Sequence, residues 1–386
     1  MPMPGFSLVA LALLLGQTVF AGNTVWPKPY KQQSTTSTYS LVDSGEFKFL
    51  TVGKTSAVLE EAYERYLPII FGSVGLQRDD IDANSVVLGV QVNVLTDDLS
   101  LTLDTDYGYE LQVESPYINI TANTAYGALY GIETFSQLVD SSLHVNATTV
   151  EDQPRFKFRA SMIDTSRHWL PLSVILAHLD AMSYNKMNVL HWHIVDSVSF
   201  PFCSESYPEM CLEGAYTETH VYRKQDVQKV IEYAQLRGIR VVPEFDTPGH
   251  ARKGYDTIPN LLTLCYGADG KPDGTTGPFN PILDSTYTFL SKFYAEIKAL
   301  FTDKFVHVGG DEVSFDCWRS NPAITNWMAA HPNIKGYDEL ESYYEVQLLE
   351  ILKQQNTSYI VWEEIFDNVS VLLKTHATSV PPSYTS

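Results

Sequence analysis

Basic residues are scarce in this chain of 386 residues, which has 26 Lys and Arg against 46 Asp and Glu. The formal net charge is −20 and the pI is near 4.8. So acidic a surface argues against nucleic acid and anionic membranes as partners, because both carry negative charge themselves. It is typical of a protein that works at acidic pH, and solubility alone explains it equally well. The sequence also lacks a phosphate-binding loop, a dinucleotide fingerprint and a nucleophilic Ser or Cys elbow.

Long hydrophobic runs are absent after the N-terminus. Residues 6–15 form an apolar segment that is too short to span a bilayer, and Ala21 and Gly22 follow at a plausible cleavage point. We interpret residues 1–22 as a secretory signal peptide, although the basic residue that usually precedes such a segment is missing. No later run is apolar enough for a transmembrane span. We therefore predict a protein of the secretory pathway, either lysosomal or extracellular.

Cysteine is also scarce, with four residues in the chain. Exported proteins meet oxidising conditions, so these cysteines are candidates for disulfides, and four of them allow three pairings. We favour Cys203–Cys211, which closes a short loop, and Cys265–Cys317, which closes a long one. Four glycosylation sequons fit the same route and predict a glycoprotein. They begin at Asn119, Asn146, Asn356 and Asn368.

Residues 23–155 are predicted to form a separate N-terminal α/β domain of α+β type. Hydrophobic periodicity indicates both strands and helices in it. The predicted strands are Val86–Val94, Leu99–Leu103 and Tyr109–Val113, and the predicted helices are Leu59–Leu67 and Thr124–Val139. No catalytic constellation, internal repeat or long charge run is visible in this domain.

Residues 156–377 alternate short apolar strands with helices, which predicts a parallel sheet. The predicted strands are Phe158–Ile163, Lys186–Ile194, Ile239–Pro243, residues 305–308 and Tyr359–Trp362. The predicted helices are Pro171–Ser183, Arg223–Arg237, Tyr287–Phe301 and Leu340–Gln354. Polar motifs follow nearly every strand, which favours a barrel with one functional rim. Only about five of the eight strand–helix units of a closed barrel are present, and residues 378–386 are predicted to be a disordered tail.

The most informative stretch is Phe305–Glu312, where an apolar run stops at two glycines and two acids follow. Adjacent side chains of a strand point to opposite faces. Asp311 and Glu312 can therefore share one pocket only if the chain bends, and the glycines permit that bend. Paired acids at a strand end are typical of the catalytic rim of a barrel. A solvated acidic turn is the alternative.

Four more polar clusters lie at or near predicted strand ends, and each has a structural alternative when taken singly. They are Asp164–His168, His191–Asp196, Glu244–His250 and Trp362–Glu364. Arg167 could be an ion-pair partner, and Asp246 could cap a turn. His191, His193 and Trp362 could be packed core residues. Together on one rim, carboxylates, an arginine and a tryptophan predict a sugar site, because charged groups grip hydroxyls and an indole face packs against a pyranose ring.

These segments resemble glycoside hydrolase family 20, the β-N-acetylhexosaminidases, in their lysosomal or secreted eukaryotic form. The matching stretches are Trp26–Pro29, Arg159–Pro171, His191–Pro201, Arg240–His250, His307–Glu312, Cys317–Trp318 and Val361–Asn368. The resemblance implies an N-terminal α/β domain followed by a (β/α)8 TIM barrel. It also implies exo-hydrolysis of terminal β-linked N-acetylglucosamine or N-acetylgalactosamine from glycoconjugates, without cofactor or metal. The resemblance also allows a homodimer if the chain is complete.

The family resemblance implies retaining, substrate-assisted hydrolysis, an exception to the scheme with two catalytic carboxylates. Glu312 would be the general acid that protonates the leaving oxygen. Asp311 would orient the substrate's own 2-acetamido group and stabilise the oxazolinium intermediate. We expect partial burial and the neighbouring Asp311 to raise the pKa of Glu312.

Other residue roles come from the same resemblance. Arg167 would bind the ring hydroxyls of the terminal sugar, and Trp362 would wall the acetamido pocket. Asp196 and His250 would support the acid. The Cys265–Cys317 pair matches a disulfide expected in the family.

The sequence departs from the family pattern in two places. Ser197 stands where an acid is common, and strands six to eight of the barrel are missing, with the late Trp, Tyr and Glu residues of the sugar pocket. We therefore expect a truncated chain, and the alternative to an active enzyme is a non-catalytic hexosaminidase-like glycoprotein. A third hypothesis is a metal-dependent barrel hydrolase that uses His191, His193, His250 and Asp311.

Overall fold

The computed structural model describes residues 25–72 and 85–368. They divide into two compact units. The first contains the described residues up to Leu99 together with Thr105–Arg155, and the second contains Ser100–Asp104 and the residues from Phe156 onward. The predicted signal peptide (1–22) and disordered tail (378–386) lie outside the described residues. No described helix combines the length and the apolar character that a membrane crossing needs.

The first unit is a seven-stranded sheet with two helices. In chain order the strands are β1 (Lys31–Leu41), β2 (Lys48–Thr51), β3 (Val86–Val87), β4 (Gly89–Val94), β5 (Tyr109–Gln112), β6 (Tyr117–Ala122) and β7 (His144–Asp152). Their order in the sheet is β2-β4-β6-β5-β7-β1-β3. Along β6, Ile118 and Ile120 are buried while their neighbours are half-buried, because successive side chains alternate between the faces of a sheet.

The two helices of the first unit begin at polar caps. They are α1 (Ala57–Phe71) and α2 (Ala125–Leu138). Ser56 accepts a hydrogen bond from the Leu59 N–H, and Thr124 accepts one from the Gly127 N–H at 3.1 Å, so each cap satisfies a donor that the first turn leaves open. Both predicted helices of this domain are present, with longer bounds for the first.

The predicted strand Leu99–Leu103 is wrong. This segment has no strand pairing, and its backbone is held by side chains instead. The Tyr126 hydroxyl donates to the Leu99 carbonyl, and the Thr102 hydroxyl accepts from the Asp104 N–H. Conversely β1 is a long strand that hydrophobicity does not indicate, because most of its side chains are exposed.

The second unit is built on a parallel sheet whose strands follow chain order. They are β8 (Ala160–Asp164), β9 (Val189–Val195), β10 (Arg240–Phe245), β13 (Phe305–His307) and β14 (Ser358–Ile360). An antiparallel hairpin, β11 (Leu262–Tyr266) and β12 (Pro272–Phe279), stands apart from this sheet. All five strands of the parallel sheet lie at or near the predicted positions, and the hairpin is an addition that the periodicity did not reveal.

Eight helices of the described part of this unit connect or flank the strands. They are α3 (Leu172–Tyr184), α4 (Glu209–Gly214), α5 (Lys224–Gln235), α6 (Asp284–Leu300), α7 (Asp316–Ser320), α8 (Pro322–Ala330), α9 (Tyr337–Gln354) and α10 (Glu363–Asn368). The four predicted helices correspond to α3, α5, α6 and α9. The short helices α4, α7, α8 and α10 were not predicted, since five to nine residues show little periodicity.

Every residue of β9 and β10 is buried, as expected for parallel strands covered on both faces. Aromatic side chains fill the space against α6, where Phe245 packs edge-on against Phe293 with ring centroids 5.0 Å apart. At the amino end of β10, Arg240 donates from Nε and Nη2 to both oxygens of Asp303, at 2.6 and 2.8 Å. A bidentate pair of this kind fixes geometry as well as neutralising a buried charge.

Both predicted disulfides are present. Cys203–Cys211 joins residues eight positions apart, and Cys265–Cys317 joins residues 52 positions apart. The second one links β11 to α7, the helix that follows the predicted catalytic turn in the sequence.

The sequons differ in exposure. Asn356 is exposed, and Asn119 and Asn146 are half-buried in strands β6 and β7. The side chain of Asn368 lies outside the described residues.

Candidate active site

The turn that follows β13 brings the two adjacent acids to one place. Gly309, Gly310 and Glu312 have φ angles of +71°, +95° and +51°, a left-handed region that glycine enters freely and glutamate rarely. A Cβ at position 309 would overlap the Asp246 carboxylate, and the Gly310 N–H donates to Asp246 Oδ1 at 2.8 Å. Close approach to Asp246 therefore requires glycine and bends the chain at the predicted position.

Asp311 and Glu312 converge on one imidazole. His250 Nε2 lies 3.8 Å from Asp311 Oδ2 and 3.4 Å from Glu312 Oε2. Hydrogen bonding to Asp196 raises the pKa of His250 to about 9, against the opposing effect of burial, and Asp246 and Asp311 add to the rise. A positively charged His250 thus stands between the two acids. The alternative of a merely solvated acidic turn does not fit Asp311, whose side chain is 23% exposed.

The predicted partial burial of Glu312 is wrong, since its side chain is 75% exposed. The left-handed backbone turns this side chain outward from the sheet, whereas the Asp311 side chain turns inward. His250 Nε2 lies 3.4 Å from the carboxylate and does not cover it.

Arg167 and Asp196 are joined directly. Arg167 Nη2 lies 2.7 Å from Asp196 Oδ2, and Nη1 lies 2.7 Å from Asp164 Oδ2. Asp196 also accepts from His193 Nε2 at 2.9 Å and from His250 Nδ1 at 3.1 Å. Burial would raise the pKa of Asp196, but these histidines hold it well below its usual range. One buried carboxylate thus orients three cationic side chains.

Glu244 is the centre of a second set of hydrogen bonds, and its side chain is 0% exposed. Its carboxylate contacts His191 Nε2 at 2.7 Å, His193 Nδ1 at 2.8 Å and His307 Nδ1 at 3.2 Å. Trp362 Nε1 donates to Oε1 at 2.8 Å. Burial alone would raise the pKa of Glu244, but the contacts with these histidines hold it far below its usual range. Burial likewise opposes protonation of His193, yet hydrogen bonds to Asp196 and Glu244 raise its pKa to about 10.

Trp362 lies beside the predicted acids. An open depression is lined by Asp311, Trp362, Glu363 and Glu364. The indole also contacts His307, with ring centroids 4.7 Å apart, and its N–H is fixed by Glu244. Half-buried and held at its edge, Trp362 offers a rigid apolar surface next to Asp311.

The predicted site residues therefore form one connected chain of contacts. It runs from Arg167 through Asp196, His193 and Glu244 to Trp362, with a branch from Asp196 through His250 to Asp311 and Glu312. The histidines considered as core residues are buried, but they bond to carboxylates rather than packing in an apolar core. Asp246 is no turn cap, since it is buried beneath the glycines.

Sequence reasoning placed Glu244, Asp246 and His307 in polar motifs but assigned none of them a role in the site. Burial raises the pKa of Asp246 well above its usual range, and the neighbouring Asp311 carboxyl adds to the effect. A signal for the missed residues exists in the strand register, where Glu244 lies opposite His193 on one side and His307 on the other. Residues one layer below the rim of adjacent parallel strands meet in this way.

Three overlapping groups of described His, Asp and Glu residues have ligand atoms within 4.8 Å of one another. They are His191–Glu244–His307, His193–Glu244–Asp246 and Asp246–His250–Asp311. None of the three unites the four residues of the metal hypothesis. The Glu244 oxygens already accept hydrogen bonds from a tryptophan and contact three imidazoles, so hydrogen bonding accounts for their arrangement.

Comparisons with known proteins agree with this site. Residues 156–380 match the catalytic domain of glycosyl hydrolase family 20, and residues 25–138 match a family described as beta-acetyl hexosaminidase like. The chain is 44% identical over 387 aligned residues to the β-hexosaminidase subunit beta of Felis catus, covering 96% of this chain and 73% of that one. It is 41% identical to the subunit alpha of Rattus norvegicus, covering 95% and 72%.

A solved chitobiase of Flavobacterium johnsoniae has a TM-score of 0.76 and 28% identity to this chain. The match covers 89% of this chain, which spans about half of that structure (52%). A solved exo-β-N-acetylglucosaminidase of Vibrio harveyi, 24% identical with a TM-score of 0.73, shares the fold. The predicted fold class, an N-terminal domain followed by TIM-barrel strands, is confirmed, and the chain belongs to glycosyl hydrolase family 20.

Proposed function

We propose that this protein is a β-N-acetylhexosaminidase that removes terminal β-linked N-acetylglucosamine or N-acetylgalactosamine from glycoconjugates by substrate-assisted, retaining hydrolysis. The observation that carries the proposal is the convergence of Asp311 and Glu312 on His250. Adjacent residues reach one site there because three positions of the turn are left-handed. Two acids so close together serve different steps, one moving a proton and the other holding the substrate's amide.

Glu312 is the group placed to protonate the leaving oxygen. Its exposed carboxyl faces the open side of the site, where a leaving group would enter. General acid catalysis of this kind contributes about 10²–10⁴-fold. The substrate's own 2-acetamido oxygen would then attack the anomeric carbon, so the glycosidic bond breaks as the oxazolinium ring closes, and water later opens that ring with Glu312 acting as base.

Asp311 is the group placed to hold the acetamido N–H. Among the described residues, its Oδ1 atom is buried and has no hydrogen-bond partner, and a buried acceptor without a donor is costly. A substrate N–H would satisfy it, and the negative charge would stabilise the positive intermediate. Asp246, whose pKa is raised by burial and by Asp311, would stay protonated, so the two carboxyls do not repel each other.

Arg167 and Trp362 are proposed to bind the sugar. Arg167 is 42% exposed while Asp164 and Asp196 fix its guanidinium, which leaves donors for ring hydroxyls. Trp362 would pack against the acetamido methyl next to Asp311. The predicted signal peptide of residues 1–22, the two disulfides and the predicted glycosylation sequons support a route through the secretory pathway to the lysosome or the outside of the cell. A homodimer stays a proposal for the complete chain.

The test is hydrolysis of a chromogenic N-acetylglucosaminide and of an unactivated disaccharide at acidic pH. Glu312→Gln should lose cleavage of the unactivated substrate with the fold intact, since no proton is then delivered. Asp311→Asn should lower kcat for both substrates by about 10²–10³-fold, because the intermediate loses its counter-charge. Asp316→Asn, an exposed acid on α7, is the matched control and should keep the activity of the parent chain. Normal turnover by Glu312→Gln would refute the assignment.

A non-catalytic, sugar-binding glycoprotein is the second candidate, and the exposure of Glu312 favours it. The same assay separates the two. Binding of N-acetylglucosamine to the parent chain that Asp311→Asn abolishes, with no turnover of either substrate, would select the second candidate.

A further inference from the structure

Glu345 on α9 is a buried acid that the proposed hydrolysis does not use. Its side chain is 0% exposed, and neither carboxyl oxygen has a hydrogen-bond partner among the described residues. A carboxylate in such a place lacks both water and a counter-charge, so the protonated form is the one compatible with the fold.

The groups around Glu345 supply no positive charge. Glu341 lies one turn earlier on the same helix, and Tyr344 is its neighbour in the chain. Tyr287 and Tyr294 face it from α6, and both are affected by its charge. From α10, Glu364 acts on Glu341. All of these groups are neutral or acidic. Burial and Glu341 both raise the pKa of Glu345.

Glu345 stands directly behind the turn that carries the two catalytic acids. Its Oε1 atom lies 3.5 Å from the position that a Cβ of Gly310 would occupy, and Ile365 fills the rest of that space. On the other side of the turn, the Gly310 N–H donates to Asp246. The preceding residue of α9, Tyr344, donates to Thr247 Oγ1 at 2.8 Å and so attaches the helix to the residues just after β10. A charge on Glu345 would therefore act directly on the backbone of Gly310.

We propose that Glu345 is a positioning residue whose neutral carboxyl supports the turn Gly309–Glu312 from behind. When its proton is lost at higher pH, the buried charge loosens this turn and withdraws Asp311 and Glu312 from the site. The part of the proposal that concerns activity rests on the proposed hydrolysis. The part that concerns the turn does not, so the two can fail separately.

The sign of the pH effect follows from linkage. An acid whose pKa is higher in the folded than in the unfolded state stabilises the fold most below its ordinary pKa of about 4.5, and this stability is lost as the pH rises towards the folded pKa. Over that interval one such group changes the unfolding equilibrium constant about tenfold per pH unit. Glu345→Gln should remove this contribution, because a neutral amide of the same shape replaces the acid.

The first measurement is denaturant unfolding from pH 4.5 to 8 for the parent chain, Glu345→Gln and the control Glu350→Gln, an acid on the same helix with a 45% exposed side chain. The parent chain and the control should lose stability more steeply with pH than Glu345→Gln, by about tenfold per pH unit in the unfolding constant. Equal slopes in all three would overturn the proposal. Glu345→Leu provides a second neutral variant if the amide prevents folding.

The second measurement is local and needs no turnover. Hydrogen exchange of residues 305–315, corrected for intrinsic rates, should show protection at pH 5 that falls by pH 7.5 in the parent chain and persists in Glu345→Gln. Where hydrolysis is measurable, the alkaline limb of kcat/KM should move up by at least one pH unit in this variant with kcat at pH 5 unchanged. If hydrogen-exchange protection falls equally in the parent chain and in Glu345→Gln, the proposed role of Glu345 in the turn is contradicted. If the exchange behaves as expected but no hydrolysis is measured, only the proposed function is contradicted.

Discussion

Replacing Glu244 by Gln should destabilise the second unit by about 3–5 kcal/mol, the usual cost of breaking a buried charged pair. The change removes the charge of a buried carboxylate that contacts three histidines and Trp362, while volume and shape stay nearly the same. The rise in the pKa of His193 from 6.5 to about 10 corresponds to about 5 kcal/mol at about 1.4 kcal/mol per pH unit. Asp196 contributes part of that rise. Replacing one carboxylate oxygen by an amide NH2 also removes an acceptor from either His191 or Trp362, which adds to the cost.

The expected loss depends on pH in a defined way. Because the pKa of Glu244 is lowered in the folded state, its charge stabilises the fold above about pH 4.5, and this stabilisation is lost as the pH falls below that value. The raised pKa of His193 means that its part is fully present below 6.5 and lost as the pH rises towards about 10. The difference between the parent chain and Glu244→Gln should thus be largest between pH 4.5 and 6.5 and shrink on both sides.

The assay is guanidinium unfolding at pH 5.5, 7.5 and 9.5, followed by Trp fluorescence. Glu232→Gln, an exposed glutamate on α5, is the control and should change stability by no more than about 0.5 kcal/mol. A loss below about 1 kcal/mol at pH 5.5 in Glu244→Gln, or a difference that does not vary with pH, would refute the reasoning that this carboxylate is charged and fully engaged.

Two further predictions concern the turn and the surface. Gly309→Ala should lower the free energy of unfolding by about 2–5 kcal/mol, because strain at positive φ adds to overlap with Asp246. Gly274 has a φ of +87° and nothing within 4 Å of a Cβ placed there, so Gly274→Ala should cost about 1–2 kcal/mol. Equal losses of stability for the two variants in unfolding experiments would contradict the close approach of Gly309 to Asp246. Asn356→Gln should increase the gel mobility of protein secreted from a eukaryotic cell, because Asn356 is exposed, and an unchanged band for this variant would show that the site carries no glycan.

The main strands and helices of the second unit could be predicted from the sequence, because its strands are short, largely apolar runs and α6 carries apolar residues at helical spacing. The bend at Gly309 could also be predicted, since two adjacent acids can share a pocket in no other way. The strand β1 and the false strand Leu99–Leu103 show the limit of the method. Pairing to neighbouring strands decides whether such a segment becomes a strand, and a single sequence carries little information about pairing.

Prediction of the site from the sequence is limited in the same way. Arg167, Asp196, His250 and Trp362 stand in conspicuous polar motifs, and the resemblance of these motifs to the family gave their expected roles. Glu244 was visible in one of these motifs, but its place at the centre of three histidines depends on the register of three strands. The exposure of Glu312 could not be predicted, because it depends on the sign of one φ angle. Glu345 gives no signal at all, since an acid within a helix is ordinarily exposed.

The charges of the site also indicate which groups can set its pH range. His193 and His250, with pKa values of about 10 and about 9, stay protonated throughout the acidic and neutral range. Asp196 and Glu244 stay ionised there because their pKa values are lowered. None of these four changes charge between pH 4.5 and 8, so none can limit activity in that interval.

The groups that can change charge are carboxyls in apolar surroundings. Burial raises the pKa of Asp246 and of Glu345, and it raises that of Glu341, beside Asp338 and Glu364, to about 7. Asp246 and Glu345 lie on opposite sides of the Gly309–Glu312 turn. As the pH rises, each therefore loses a proton next to the backbone that positions Asp311 and Glu312, the proposed catalytic pair. An alkaline limit on activity should therefore come from these acids rather than from a histidine. Neutral replacements behind the turn, such as Glu345→Gln, would move that limit.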